Sequence, residues 1–569
     1  MPSPRLTQQY HRLLRHYGGQ NCETSLQQLA DVLVCTRRHM RALLAQMQAA
    51  GWIAWQAQPG RGMRSRLAFL KREDDLRAEQ AEALLTAGRL EQVLGLLADD
   101  RQALTRLLRS RLGQHADRER QILGVPYYRA FPNLDPSKPL RRSEQHLARQ
   151  IFNGLTVINE EKGEVVGDLA HHWRQISPCE WHFHLRPAVR WHDGRPLGVA
   201  DICATLARLR AQPLFAHLRA ARPLSSRSLA IELAEPDCWL PWLLADVAAL
   251  ILPADHAERA DFASQPIGSG PYLVAANNAY RLSLHAFDDY FGFRALLDEV
   301  NIWMMPEWDP AALQEDSQPC VMRVQLASQP DAPPGAPPSD MVVEQGGFFA
   351  LCDSRSPRMR DPALRAWLAR IAAPLALAGQ MPAEVCRYWI PANGLLPGWH
   401  HRPVDDDAPP FAPPPALRLA YYRQQPVYAQ LAQAMATCLA RHGVALRCEA
   451  ISHAEWAQGQ GEFDLWLGSI NFSTRAEYAV PAWLLGTPLL RATLPDAAEP
   501  SLADWRARWR RGEAVAAPLS SLLTRQRWLL PLFHGWLQLQ GPGRMQGLHL
   551  NQLGWFDFKS AWLEPGETT

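Results

Sequence analysis

A chain of 569 residues is too long for one hydrophobic core, and 47% hydrophobic with 20% charged residues describes a folded, water-soluble protein rather than a disordered or fibrous one. The net charge of +2 hides a division: residues 1–72 carry eleven Lys/Arg against Glu23 and Asp31, a net of +9, while the remainder carries 48 against 55, a net of −7. The ten cysteines form no CxxC pair, which argues against zinc knuckles and a disulfide framework and for free thiols in a reducing compartment. The first residues hold no apolar leader, and the most apolar stretch, 238–253, is interrupted by Pro241 and Asp246. It falls short of the ~20 residues of a membrane span, so the expected place is the cytoplasm, away from the membrane.

Residues 1–72 read as a winged helix-turn-helix, with the helix-turn-helix at about 26–49 and the wing at 52–70. Ser25 and Gln28 have capping-box spacing, and Leu26, Leu29, Ala30 and Leu33 make one apolar face. Thr36 can cap a second helix that ends at Gly51, with Met40, Leu43, Leu44 and Met47 as its stripe. At about 100° per residue Arg38 lies opposite that stripe, flanked by Arg37, His39 and Arg41. Ala42 and Ala45 are small enough to let the helix approach a groove floor, and Arg reads guanine bidentately. Trp52 to Trp55 and Arg64 to Leu70 read as two strands about a Pro59-Gly60-Arg61-Gly62 turn, a wing whose Arg61, Arg64 and Arg66 can meet phosphate. The DNA-binding set is therefore Thr36, Arg37, Arg38, His39, Arg41, Arg61, Arg64 and Arg66. A helical hairpin with a merely solvated basic face is the alternative; cap, stripe, arginines and wing together disfavour it.

Residues 73–121 read as a helical connector, with Leu84, Leu85, Leu90, Val93, Leu94 and Leu97 at helical spacing and Gly88 dividing two helices. Packing between domains or a dimer seam would both explain the stripe. From Ile122 the texture changes to short strands, loops and aromatics. Trp181 to Pro187 alternates, Asp193-Gly194 is a tight turn, and a helix begins near Val199. Farther on, Leu417 to Tyr421, a helix from about Val427 to His442, and Val444 to Cys448 make a βαβ unit, entered through a Pro-rich linker. Phe463 to Leu467 reads as another strand.

The run from Phe183 to Ile202 resembles the "FxLRxxVxFHDGxPxxAxDV" hallmark of solute-binding proteins of the peptide/nickel class. Pro266 to Tyr272 is similar to their "PxGTGPY", and Phe287 to Gly292 with Leu297 to Val300 to their "NxxYWxGxPxLDEV". The whole chain resembles the SgrR-type transcriptional regulators of enteric bacteria, through Ser25 to Arg41, Gln150 to Phe152 with Asn159-Glu160, Asp168 to Trp173 and Leu553 to Trp562. The resemblance implies a multidomain α/β protein: an N-terminal winged helix-turn-helix and a C-terminal two-lobed, periplasmic-binding-protein-like module of class II type over 122–569. Lobe I is expected at 122–400 and about 530–569, and lobe II at about 415–530. It further implies a regulator that activates a small-RNA gene under glucose-phosphate stress and represses its own gene. Its partners would be operator DNA, RNA polymerase and a small metabolite such as glucose 6-phosphate.

Peptide-binding members hold the ligand's amine with an acid shortly after the strand at Phe463 to Leu467. Here no acid occurs between Asp464 and Glu477, which favours an anionic or neutral ligand. Arg475 and Asn471 are candidates for a phosphate, and Trp191, Trp399 and Trp466 for a sugar face, although each tryptophan also suits a core. His192-Asp193 and His171-His172 lack further ligands at useful spacing, so no metal and no cofactor are expected. Without a P-loop, GxSxG or HExxH run, the reading is a regulator, not an enzyme. The alternative is a transport solute- or oligopeptide-binding protein with a basic N-terminal extension.

Overall fold

Two side-chain caps start the paired helices near the N-terminus. The computed structural model describes residues 4–58, 64–86, 89–97, 107, 113–117, 120–127, 129–304, 323–326, 341–386, 389–401, 412–423, 426–472, 474–496, 500–540, 545–548, 551 and 555–564. Helix α1 spans Pro4–His16 and strand β1 Cys22–Thr24. Ser25 Oγ accepts from Gln28 N at 3.2 Å while Gln28 Oε1 accepts from Ser25 N at 2.9 Å, opening α2, Leu26–Val32. Thr36 Oγ1 accepts from His39 N at 3.3 Å and opens α3, Arg37–Ala49. Between them Val34, 81% exposed, has φ of +53°, a left-handed conformation that a β-branched residue adopts only under strain. Gly51 closes α3 at φ +70°.

Strands β2, Ile53–Gln56, and β3, Ser65–Phe69, pair antiparallel, and β1 adds to β3, giving the order β1-β3-β2. Helix, strand, helix, helix, strand, strand is the winged-helix order. Met40, Leu43, Leu44 and Met47 bury against Leu29, Leu33, Trp52 and Leu67. The α1 helix completes this core with Leu6, Tyr10, Leu13 and Leu14. The Tyr10 hydroxyl lies between the carbonyls of Trp52 (3.0 Å) and Lys71 (2.6 Å), and burial pushes its pKa up to about 12. Helices α4, Glu73–Thr86, and α5, Leu90–Leu96, follow. The connector is not helical to residue 121: β4, Gly113–Asp117, forms a hairpin with β5, Arg120–Tyr127. Residues 1–111 form one compact unit and 112–569 a second, so the change of unit precedes the expected 122. Gly88 lies outside the described residues.

Among the described residues, three sheets of four or more strands build the second unit, beside a hairpin of β6, Thr156–Asn159, with β7, Glu164–Gly167, and a two-stranded pair near the C-terminus. Helix α6, Arg142–Ile151, packs beside a five-stranded sheet of order β12-β13-β14-β5-β4, where β12 is Tyr272–Asn277, β13 Arg281–Ala286 and β14 Glu299–Met304. Its core gathers Leu123, Leu147, Tyr272, Leu284 and Val300 with Trp555, Phe556 and Phe558 from the end of the chain. A four-stranded antiparallel sheet of β8, Ala170–Ser177, β9, Glu180–Leu185, β10, Leu218–Ser225, and β11, Ser228–Leu233, in the order β10-β11-β9-β8, packs against α7, Val199–Leu209. In the strand Glu180–Leu185, Trp181, Phe183 and Leu185 are buried in alternation.

The largest sheet runs β15-β22-β17-β21-β19-β20, with β16 and β18 also on β22. Here β15 is Arg323–Leu326, β16 Met341–Val343, β17 Gly346–Cys352, β18 Trp389–Pro391, β19 Ala416–Tyr422, β20 Ala445–Ile451, β21 Leu465–Asn471 and β22 Leu529–Gln540. Strands β19 and β20 are parallel, joined by α8, Pro426–Ala440. This sheet corrects the expected lobes. Strands β15 to β18 and β22 belong with lobe II, so lobe I comprises 113–304 and 545–564 and lobe II 323–540. Three strands of this sheet, β19, β20 and β21, are read from the sequence; β17 and β22 are not, and β17 finds its partners across more than a hundred residues.

The sequence fragments shared with solute-binding proteins shape lobe I. A Cβ on Gly268 would stand 1.9 Å from the Ile151 carbonyl oxygen, and one on Gly270 2.5 Å from the Ile151 carbonyl carbon. Those glycines let residues 266–271 run against the end of α6. His192 Nδ1 accepts from Gly268 N (3.2 Å) and Nε2 donates to the Gly270 carbonyl (3.0 Å). Burial lowers its pKa to about 4, so it stays neutral and locks two loops together.

Candidate nucleic-acid interface and interlobe cleft

In the first unit α3 buries its Met and Leu stripe and leaves Arg38, His39, Arg41, Ala42 and Ala45 exposed. Arg64 just before β3 and Arg66 within it are exposed, Arg66 lying between Gln56 of β2 and Glu23 of β1. The ion pairs of this unit lie elsewhere: Glu73 meets His11, Arg15 and Arg77, and Lys71 meets Glu79. Among the described residues Arg38, Arg41, Arg64 and Arg66 form no ion pair, although Glu23 neighbours Arg66 across the sheet, so the face keeps a net positive charge for a polyanion.

Two candidates have local duties. Arg37 donates through Nε to Gln27 Oε1, and Gln27 Nε2 donates to Asp31 Oδ1 at 2.7 Å, which ties the start of α3 to α2. Thr36 spends its hydroxyl on the cap. Arg61 lies outside the described residues.

The ligand candidates do not converge. Trp191 is 2% exposed and Trp466 fully buried in the core, with Trp466 Nε1 donating to Asp353 Oδ2 at 2.8 Å; neither can line a cleft. Trp466 was readable as core from Leu465 and Leu467, whereas Trp191 stands between Arg190 and His192. Trp399 is half-buried beside His401 at a ring distance of 5.2 Å. Asn471 ends β21 opposite Gly346. Arg475 precedes α9, Ala476–Gly486, and reaches across the lobes: its guanidinium lies 4.9 Å from the Trp242 ring, and Nε donates to the Gly163 carbonyl at 3.2 Å.

Around that contact the lobes meet through residues that sequence reasoning missed. Trp239 and Trp242 of lobe I and Tyr478 and Trp509 of lobe II form an aromatic cluster with ring distances from 5.6 to 6.4 Å. Trp239 Nε1 donates to the Trp509 carbonyl at 2.8 Å. Arg510, 4% exposed, donates to Glu235 (2.8 Å) and to His217 Nδ1 (2.8 Å), while His217 Nε2 lies 2.8 Å from the fully buried Asp237. Arg142 of α6 pairs with the buried Glu344 of lobe II at 2.7 Å. No local pattern could have signalled these groups, because their partners lie in the other lobe.

Beside the cluster, Arg149 of α6 donates through Nη1 to the Ala245 carbonyl at 3.2 Å. Its buried Nε, the Tyr478 hydroxyl and Thr474 Oγ1 have no hydrogen-bond partner among the described residues. A buried group left so costs about 1–3 kcal/mol unless something else satisfies it. Deeper in lobe I, Asp168 accepts from Asn153 Nδ2 (2.9 Å) and Gly154 N (3.0 Å), and burial raises its pKa to about 6. Among the described residues there is no metal-ready group of His, Cys, Asp or Glu, and no helix is long and apolar enough to cross a membrane.

Residues 5–119 match the family described as sugar transport-related sRNA regulator, N-terminal, and residues 164–365 match bacterial extracellular solute-binding proteins, family 5, middle. The chain is 42% identical over 567 residues to the HTH-type transcriptional regulator SgrR of Yersinia pestis, covering 100% of both chains. It is 44% identical over 573 residues to the SgrR of Pectobacterium atrosepticum, again covering 100% of each. Among solved structures, the Escherichia coli murein tripeptide binding protein MppA is 18% identical with a TM-score of 0.63, over 78% of this chain and 99% of that one. The agropinic acid complex of AgaA from A. tumefaciens R10 is 16% identical with a TM-score of 0.64, over 78% and 99%. These two establish the fold of the larger unit, a two-lobed binding-protein architecture.

Proposed function

Because the chain belongs to the SgrR family of HTH-type transcriptional regulators, we propose that this DNA-binding regulator couples operator occupancy to a metabolite held between its lobes. Helix α3 enters the major groove, with Arg38 and Arg41 reading base edges beside Ala42 and Ala45. Arg64, Arg66 and Arg61 of the wing follow phosphate, while Thr36, Arg37 and His39 hold the helix start against the backbone. The observation that supports this reading is the row of exposed arginines, Arg38, Arg41, Arg64 and Arg66, outside the ion pairs found among the described residues of their unit.

In the finer reading, the protein acts in the cytoplasm, activates a small-RNA gene under glucose-phosphate stress with RNA polymerase as partner, and represses its own gene. A sugar phosphate such as glucose 6-phosphate is the signal. Ligand that prefers one arrangement of the lobes shifts DNA affinity by its differential binding, typically about 1–3 kcal/mol. The test is fluorescence anisotropy of a promoter fragment with the full chain, with and without glucose 6-phosphate. A ligand-dependent change of about 5–150-fold in affinity, with random DNA unaffected, is the expected result. Equal affinity for promoter and random DNA under all conditions would overturn the regulator reading.

A further inference from the structure

We propose that the cleft seats its ligand by an oxyanion, phosphate or carboxylate, between Arg149 of α6 and the hydroxyl of Tyr478 on α9. The inference rests on the reading of the cleft as a sensor and names the chemistry that the sensor recognises.

Three elements bring the groups together. Arg149 is held at the last turn of α6 by its bond to the Ala245 carbonyl, at the loop that leads to Asp246. Tyr478 stands at the first turn of α9, 6% exposed, 5.6 Å from the Trp242 ring and within range of the Arg149 charge. Thr474 precedes the same helix, whose N-terminal N–H groups favour an anion. The Arg149 Nε, the Tyr478 hydroxyl and Thr474 Oγ1 are all buried and unpartnered among the described residues. One oxyanion with several lone pairs satisfies such a set of donors, and a charged acceptor suits the guanidinium best.

The neighbouring charges are already matched. Arg510 is taken by Glu235, His217 and Asp237, and Arg475 is exposed to solvent and held by the Gly163 carbonyl and the Trp242 face. Asp246 accepts from Ala248 N at 2.8 Å, and burial moves its carboxyl toward the neutral form. Asp237 faces His217 and Arg510. Burial keeps the Tyr478 hydroxyl protonated, so it can donate. Arg149 makes no direct ion pair among the described residues; Asp246 senses its charge, but burial pushes that carboxyl's pKa up, so an oxyanion can serve as the direct counter-charge.

Calorimetric titration of the full chain with glucose 6-phosphate, gluconate, inorganic phosphate and glucose tests this, with Arg149→Ala, Arg149→Lys, Tyr478→Phe and exposed Arg370→Ala as variants. Thermal melts of each variant confirm folding. Saturable binding of at least one oxyanion probe is expected, with no response to glucose. Binding should weaken about 100-fold in Arg149→Ala, partly return in Arg149→Lys, weaken about fivefold in Tyr478→Phe, and stay unchanged in Arg370→Ala. Phosphate against gluconate then distinguishes a phosphoryl from a carboxyl ligand. Equal binding by Arg149→Ala and parent, or equal binding of glucose and glucose 6-phosphate, overturns the oxyanion seat while the sensor reading stands. A neutral compound from cell extract that binds where every oxyanion fails does the same. A folded chain that binds neither probes nor extract overturns both.

Discussion

In the N-terminal unit the arginines that matter face solvent and lie within one short stretch of chain, on α3 and the hairpin. In the C-terminal unit Arg510 is buried and meets Glu235 and His217 across 275 and 293 residues. The first arrangement offers charge to an outside polyanion. The second uses charge inside, to hold two lobes in one relation. The same side chain thus serves recognition or closure according to what surrounds it.

The largest effect should come from breaking the buried partner of that comparison. Arg510→Ala strands Asp237 beside His217 and should cost the C-terminal unit about 3–5 kcal/mol, read by denaturant unfolding of the full chain. Non-specific DNA binding should survive in the same variant, and unchanged unfolding would show that the network holds nothing. Next, Arg38→Ala should weaken operator binding by about 1–3 kcal/mol and relax base preference. Arg64→Ala should weaken all DNA alike and lower the salt slope by about 1, both read by anisotropy across salt concentrations.

Smaller effects sharpen the claim that the first unit is governed locally. Thr36→Ala should lose about 1 kcal/mol with the cap, while Val34→Gly, two residues earlier, should gain a similar amount by releasing the positive φ. Thermal melts of residues 1–72 within the full chain, followed by helical signal, give the two signs.

Burial in the larger unit also sets a pH slope through Asp168. Its folded pKa of about 6 exceeds the ordinary 3.8, so its contribution is fully present below 3.8 and is lost as pH rises through 6. Asp168→Asn should flatten that part of the stability profile, measured as melting temperature between pH 4 and 7.

What could be read in advance follows the same division. The caps at Ser25 and Thr36, the Met40–Leu43–Leu44–Met47 stripe and the wing strands depend on contacts within a few dozen residues, and spacing alone exposed them. Helix α1 carried its own stripe, Leu6, Tyr10, Leu13 and Leu14, but that segment was weighed for an apolar leader and not for periodicity. In the larger unit the βαβ segment was readable, whereas the lobe boundary was not, because β17 and β22 find their partners across the sheet. Trp191 and Trp466 lie in the core for a related reason. A large aromatic in an apolar run serves a core as well as a cleft, and the polar groups that meet between the lobes share no sequence neighbourhood.

The aromatic cluster at the lobe contact has a practical consequence. Trp239 stacks 6.4 Å from Trp509 at an interplanar angle of 18°, stands 5.9 Å from Trp242, and donates its indole N–H to the Trp509 carbonyl. Indoles this close couple their transitions, and water quenches and reddens them when it gains access. The protein therefore carries its own optical gauge of lobe separation, readable in near-ultraviolet dichroism and emission colour without a label. Any compound that opens or tightens the contact can be found by looking at the unmodified chain.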